Sequence, residues 1–109
     1  MSAEQDYDSL VEAMTAQPEV GYGRMFSSNG LHFRDKYFAL LRKEDLLLKL
    51  PEDRVDELVG IQRAERFEPS AGRVMREWVL VPWNGGRDWT TLATEALEFA
   101  QRLAGAGAH

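Results

Sequence analysis

Four side chains stand out for recognition chemistry: Arg24, Arg73, Arg76 and Trp78. Arg76 and Trp78 are two apart in the run VMREWVLV, so in an extended segment they share a face. A guanidinium fork beside an aromatic ring suits an anion or a protein partner, and these two residue types dominate binding hot spots. The plainer alternative puts Trp78 beneath a helix and pairs the arginines with Glu77 or other carboxylates. His32 has the pKa range of a general base or metal ligand. No second histidine, cysteine or carboxylate pair is placed by sequence to act with it, so an exposed strand histidine is the simpler reading. Ser27 and Ser28 lack an identifiable base and oxyanion hole. Gly21, Gly23, Gly30, Gly85 and Gly86 form no phosphate loop, since GYGRMF lacks a third glycine and opens no helix. Glu52, Asp53, Asp56 and Glu57 cluster on one segment, but Arg54 among them points to a solvated helix face rather than a cation site. Trp83 and Trp89 flank Asn84-Gly85-Gly86 and either form a contact surface or close the end of a core.

Composition narrows these choices. The 109 residues are 44% hydrophobic and 28% charged, the balance of one folded domain. No apolar run approaches the roughly 18 to 20 residues of a membrane span. The start, MSAEQDYDSLVEAM, is acidic and does not read as a secretory signal, so a cytoplasmic location is expected. With no cysteine, disulfides, thiolate nucleophiles and sulfur-based zinc sites are excluded. His109, the last residue, follows AGAGA and is expected to fray. A net charge of −5 argues against nucleic-acid binding. A basic strip of Arg24, Lys36, Arg42, Lys43 and Arg73 would be the route to it.

The elements that must position these residues follow from spacing. Ser2 caps a helix carrying Tyr7, Leu10, Val11 and Met14 on one stripe, ended by Pro18. Gly21–Phe26 reads as a first strand and Ser27–Gly30 as a turn. In Gly30–Leu50, Leu31, Phe33, Phe38, Leu40, Leu46, Leu48 and Leu50 fall at alternate positions of three short strands. Asp35-Lys36 is the expected hairpin turn, with positive φ at Lys36. Lys43–Asp45 makes the next turn. Pro51 opens a second helix with Val55, Leu58 and Val59 buried and Gly60 as its stop. Gln62–Gly72 reads as a polar connection anchored by Phe67, and Val74–Val81 as a strand apolar on both faces. Asp88 caps a last helix whose face is Leu92, Ala93, Ala96, Leu97, Ala100 and Leu103. Residues 1–104 are read as a single domain and 105–109 as a flexible tail. The fold class is α+β: a β-meander plus a later strand in an antiparallel sheet, with helices packed on it.

Arg24-Met25-Phe26, Gly30-Leu31, Phe38-Ala39, Leu48-Lys49-Leu50-Pro51 and Gly72–Val79 resemble, in order and spacing, the TfoX amino-terminal-domain (TfoX/Sxy-like) family over residues 20 to 104. The chain departs from that pattern at Ser27-Ser28, where the family has two glycines, and at Asp35-Lys36, where it often has Asp-Gly-Lys. The resemblance implies an α+β sandwich-like domain that pairs as a homodimer, and it brings no catalytic residues or cofactor. The family's name comes from larger competence regulators, of which this chain matches only the first domain. The expected function is a non-enzymatic, protein-binding regulatory domain without membrane partners. The alternative is a small-molecule or enzymatic pocket between the sheet and the last helix built on Arg24, Arg76 and Trp78.

Overall fold

The alternating apolar segment Gly30–Leu50 becomes three neighbouring strands. A computed structural model of the chain describes residues 2–25, 28–84 and 88–106. In order, its elements are α1 (Ala3–Thr15), β1 (Val20–Met25), β2 (Ser28–Phe33), β3 (Lys36–Arg42), β4 (Asp45–Lys49), α2 (Glu52–Gly60), β5 (Glu65–Ser70), β6 (Arg73–Pro82) and α3 (Trp89–Ala106). Six antiparallel strands form one sheet in the order β1-β2-β3-β4-β6-β5. The α+β class is as the periodicity requires, but the sheet has two later strands rather than one.

The register explains the core. Leu31 pairs with Ala39, Ala39 with Leu48 and Leu48 with Val79, while Leu46 faces Leu41 and Val81. Paired residues share a face, so these rows build one apolar surface. Tyr7, Leu10 and Met14 of α1, Val55 and Leu58 of α2 and Leu92, Ala93, Ala96 and Leu97 of α3 join it in a single buried cluster. Fully buried side chains such as Leu46, Leu48 and Leu50 each contribute about 2 kcal/mol by area. Ser2 Oγ accepts from the Gln5 amide 3.2 Å away, closing the first turn of α1. Alanines 93, 96 and 100 let α3 lie close to β3 and β4.

On the opposite face Gly30, Leu40, Leu47 and Leu80 form a row. Leu40 and Leu47 are buried there as well. The sheet curls: the Arg42 guanidinium of β3 lies 5.2 Å from the Phe67 ring of β5, with β4 and β6 between them in the strand order.

Several expectations are corrected. Gln62–Gly72 is not a plain connection but contains β5, an edge strand bonded on one side only, where mostly polar residues and Pro69 are tolerated. Ser28, Asn29 and Gly30 belong to β2, because pairing with Met25, Arg24 and Gly23 overrides their turn preference. The β2–β3 turn is Arg34-Asp35, closed by Phe33 and Lys36, and the positive φ falls on Arg34 at 54°. A bulge then shifts the register: His32 pairs with Tyr37 and Leu31 with Ala39, leaving Phe38 as the extra residue, fully buried. Leu40 therefore sits on the face opposite Leu31. Helix α3 runs through Gly105 to Ala106, beyond the expected start of the tail. Phe26, Ser27, Gly85, Gly86, Arg87 and the last three residues with His109 lie outside the described residues.

Candidate functional site

A cleft of about 240 Å³ opens where β3 begins and β4 ends, beneath the second half of α3. Lys36 and Tyr37 come from β3, Lys49 from β4, Trp78 from β6, and Phe99 and Leu103 from α3. Pairing of β4 with β6 sets Lys49 opposite Trp78, and the Lys49 ammonium lies 5.9 Å from the centre of the Trp78 ring. That contact is at the outer limit of a cation–π interaction. Ala96 and Ala100, both buried, form the inner wall and leave the space that larger side chains would fill. Asp35, in the turn before β3, is the one acid lining the cleft.

Of the four binding candidates only Trp78 reaches this cleft. Arg76 is turned to α2, its guanidinium 3.4 Å from Glu52 Oε1, with 78% of its side chain exposed. The β5–β6 register shift leaves residues 76–78 between the pairs Phe67–Met75 and Arg66–Val79, while Trp78 is paired on its other side with Lys49 of β4. Arg73 is exposed beside the β5–β6 turn, next to Gly72 at φ 80°. Arg24 is exposed on β1, four strand spacings from β6, or about 19 Å along the sheet. The four do not converge. Neither does the basic strip: Lys36 and Arg42 occupy opposite ends of β3, about 20 Å apart.

His32 has a different setting from a catalytic base. Its Nδ1 lies 2.8 Å from the Arg34 carbonyl, and its ring sits 5.1 Å from that of Tyr37. The ring covers Gly21, where an added Cβ would meet His32 Cε1 at 2.7 Å. Tyr37 crosses Gly30 to donate a 2.8 Å hydrogen bond to the Arg24 carbonyl. Small residues on β1 and β2 thus provide the floor on which two rings from β2 and β3 lie.

The carboxylates of α2 are spent on arginines: Glu52 on Arg76, Asp56 on Arg66 and Glu57 on Arg54, while Asp53 Oδ1 accepts from the Arg54 amide. Among the described residues no group of three or more His, Cys, Asp or Glu is placed to hold a metal ion. Arg54 also grips Glu95 of α3 with two bonds of 2.8 and 3.1 Å, which hold its guanidinium charged beyond its ordinary range. Both tryptophans around the β6–α3 loop close the core. Trp89 is buried with Nε1 donating to the Val81 carbonyl at 3.2 Å, and Trp83 Nε1 donates to Asp6 Oδ2 at 2.6 Å. Burial pushes the Tyr7 hydroxyl far above its ordinary value, with Tyr22 beside it adding to the shift.

Sequence reasoning missed Lys36, Lys49, Phe99 and Leu103 as neighbours. Leu103 was assigned to a helix face, Lys36 to a hairpin turn and a basic strip, and Lys49 to the Leu48-Lys49-Leu50-Pro51 run, with nothing to bring them together. Comparison of the chain with family models, with curated proteins and with solved structures gives no match.

Proposed function

We propose that this chain is a non-enzymatic interaction domain that pairs with a second copy of itself through β1 and acts by binding a protein partner in the cytoplasm. A regulatory role of the kind the TfoX-like motifs imply goes with that reading. One observation carries it: β1 is a six-residue sheet edge with neither proline nor lysine to block it. Arg34 N donates to the Glu19 carbonyl at 3.1 Å, so residues 19 and 34 occupy a hydrogen-bonded position of the ladder. Alternation then turns the N–H groups of Val20, Tyr22 and Arg24 away from β2. The Val20 amide agrees, since it donates outside the sheet to Gln17 at 3.3 Å. Amides at Tyr22 and Arg24 are left facing the open edge, the arrangement that accepts an added strand. Tyr22, 42% exposed, supplies an aromatic contact beside them.

An isologous β1–β1 pairing about a two-fold axis satisfies both edges at once. Light scattering across a concentration series is expected to give a mass near twice the 12.4 kDa chain. Tyr22→Lys, which places a charge at the edge, is expected to return the chain mass with an unchanged circular dichroism spectrum. A chain mass at every concentration, or a folded Tyr22→Lys that still dimerises, overturns the assignment. Capture of partners from native cytoplasm, with Tyr22→Lys as the control, then identifies what the edge or its dimer binds.

A further inference from the structure

We infer that the cleft beneath α3 binds a small amphipathic carboxylate, with its apolar body against Trp78, Phe99 and Leu103 and its carboxylate between Lys36 and Lys49. This site is separate from the β1 edge and does not depend on dimerisation.

Size sets the first limit. A space of about 240 Å³ equals the liquid volume of about eight water molecules, which suits a ligand of roughly eight to ten non-hydrogen atoms. Its lining supplies the second: one aromatic floor, one aromatic and one aliphatic wall, and the two alanines that keep the interior open. An apolar cleft with a few polar groups at its mouth has the lining of a small-molecule site, at a volume below the usual range of about 300 to 1,000 Å³, which confines it to a small ligand.

Charge supplies the sign. The whole chain carries −5, yet two lysines line this cleft against one aspartate. All six ion pairs among the described residues use arginine, and neither Lys36 nor Lys49 takes part in one. Lysine ammonium groups with apolar stems laid over aromatic carbon are well placed to meet a carboxylate whose other end is apolar.

Local backbone geometry agrees. Tyr37 pairs with His32 and shares its face, where it also lines the cleft, while Phe38 turns into the core.

Octanoate, octanol and octylamine are suitable probes against the full chain, read by nuclear magnetic resonance titration. Octanoate is expected to shift the Trp78 indole N–H and the amides of Phe99 and Leu103 saturably, and octylamine to leave them unmoved. Lys49→Gln, a change at a partly exposed site, is expected to weaken octanoate about fivefold and leave octanol unchanged. Ala100→Leu is expected to abolish both by filling the cleft; if that variant fails to fold, the Lys49→Gln comparison decides alone. Equal affinity for octanoate and octanol would overturn the role of the lysines. Absence of saturable shifts at these three residues would overturn the site.

Discussion

The two edges of the sheet are built to opposite rules. At one end β1, VGYGRM, is a nearly uncharged strand that stays in unbroken register with β2 from Val20 to Met25. At the other, β5, ERFEPS, carries three charges and Pro69, and its pairing with β6 slips twice. Arg66 is also tied to Asp56 of α2, and Glu68 Oε2 accepts from the Gly72 amide at 3.2 Å, so the β5 end is held by its own surroundings. Charge, proline and bulges are the devices that keep a sheet edge from pairing with another chain. One edge has all three, and the difference teaches where this molecule has room for a partner.

Moving the guard from one edge to the other tests that contrast most severely. Arg24→Pro puts a proline on β1 where the N–H already faces outward, so no ladder bond is lost. The expected result is complete loss of the dimer with folding stability within about 1 kcal/mol of the parent, measured by sedimentation and by urea unfolding. In the reverse direction, Pro69→Val should leave the dimer mass unchanged, because the two register slips and the Arg66–Asp56 tie remain. A dimer that survives Arg24→Pro but falls apart in Pro69→Val would reverse the assignment of the edges.

This contrast also marks what sequence patterning could reach. Strands β3 and β4 were readable as short apolar runs, but as interior strands they bury Phe38, Ala39 and Leu40 and then Leu46, Leu47 and Leu48 in succession, so both faces are apolar and strict alternation fails there. The Ser2 cap of α1 was readable from its residue type, and the stripes of α1 and α3 from their period of about 3.6, whereas Asp88, expected to cap α3, has its carboxylate on Arg63 and Asn84. Strand β5 was not, since an edge bonded on one side tolerates Glu65, Glu68 and Pro69. The bulge at Phe38 was hidden as well: it preserves hydrophobicity while moving Ala39 to the face of Leu31 and Leu40 to the opposite one. As for the cleft, Lys49 and Trp78 are distant in the chain and meet only through the β4–β6 ladder. Arg76 and Trp78 are two apart in β6 yet meet different neighbours, Arg76 the Glu52 carboxylate of α2 and Trp78 the Lys49 ammonium of β4, and neither contact is visible from spacing.

Within β1 the next effect is steric. Gly21→Ala would bring its Cβ to 2.7 Å from His32 Cε1, and that ring is anchored by Nδ1 on the Arg34 carbonyl. A cost of about 2 kcal/mol is expected, as for other overpacked sites. In a His32→Ala background the same substitution should cost well under half as much, and the double-mutant cycle measured by chemical denaturation reports the coupling. Additive effects would mean that the histidine does not rest on the β1 floor.

Alkaline pH probes how α1 is held on β1 and β2. The folded-state pKa of Tyr7 is raised above its ordinary value of 10.0 by burial and by Tyr22. The stability from keeping its hydroxyl neutral is therefore fully present below pH 10 and is lost as pH rises beyond that, when the unfolded chain ionises first. The expected loss approaches about 1.4 kcal/mol per pH unit from this one group. Thermal unfolding at pH 9 to 11 should show a steep decline that Tyr7→Phe flattens. An unchanged slope in Tyr7→Phe would place the alkaline sensitivity elsewhere.

The smallest effect belongs to the exposed arginine that sequence alone made prominent. Arg76 and Glu52 are 78% and 50% exposed, and their single contact of 3.4 Å competes with water and with the freedom of two long side chains. Pairs of this kind contribute about 0 to 1 kcal/mol. Arg54, by contrast, is about one-third exposed and holds Glu95 with two bonds that join α2 to α3. Arg76→Ala is expected to shift stability by less than about 0.5 kcal/mol, and Arg54→Ala to cost about 1 to 2 kcal/mol, because a charge-assisted bidentate grip is lost. Urea midpoints measured side by side decide this, and 0.5 M salt should weaken the Arg76 effect more than the Arg54 effect. If Arg76→Ala proved the costlier change, its guanidinium would have to contact something other than Glu52, and the β6 surface around Arg76 would gain weight as a recognition surface.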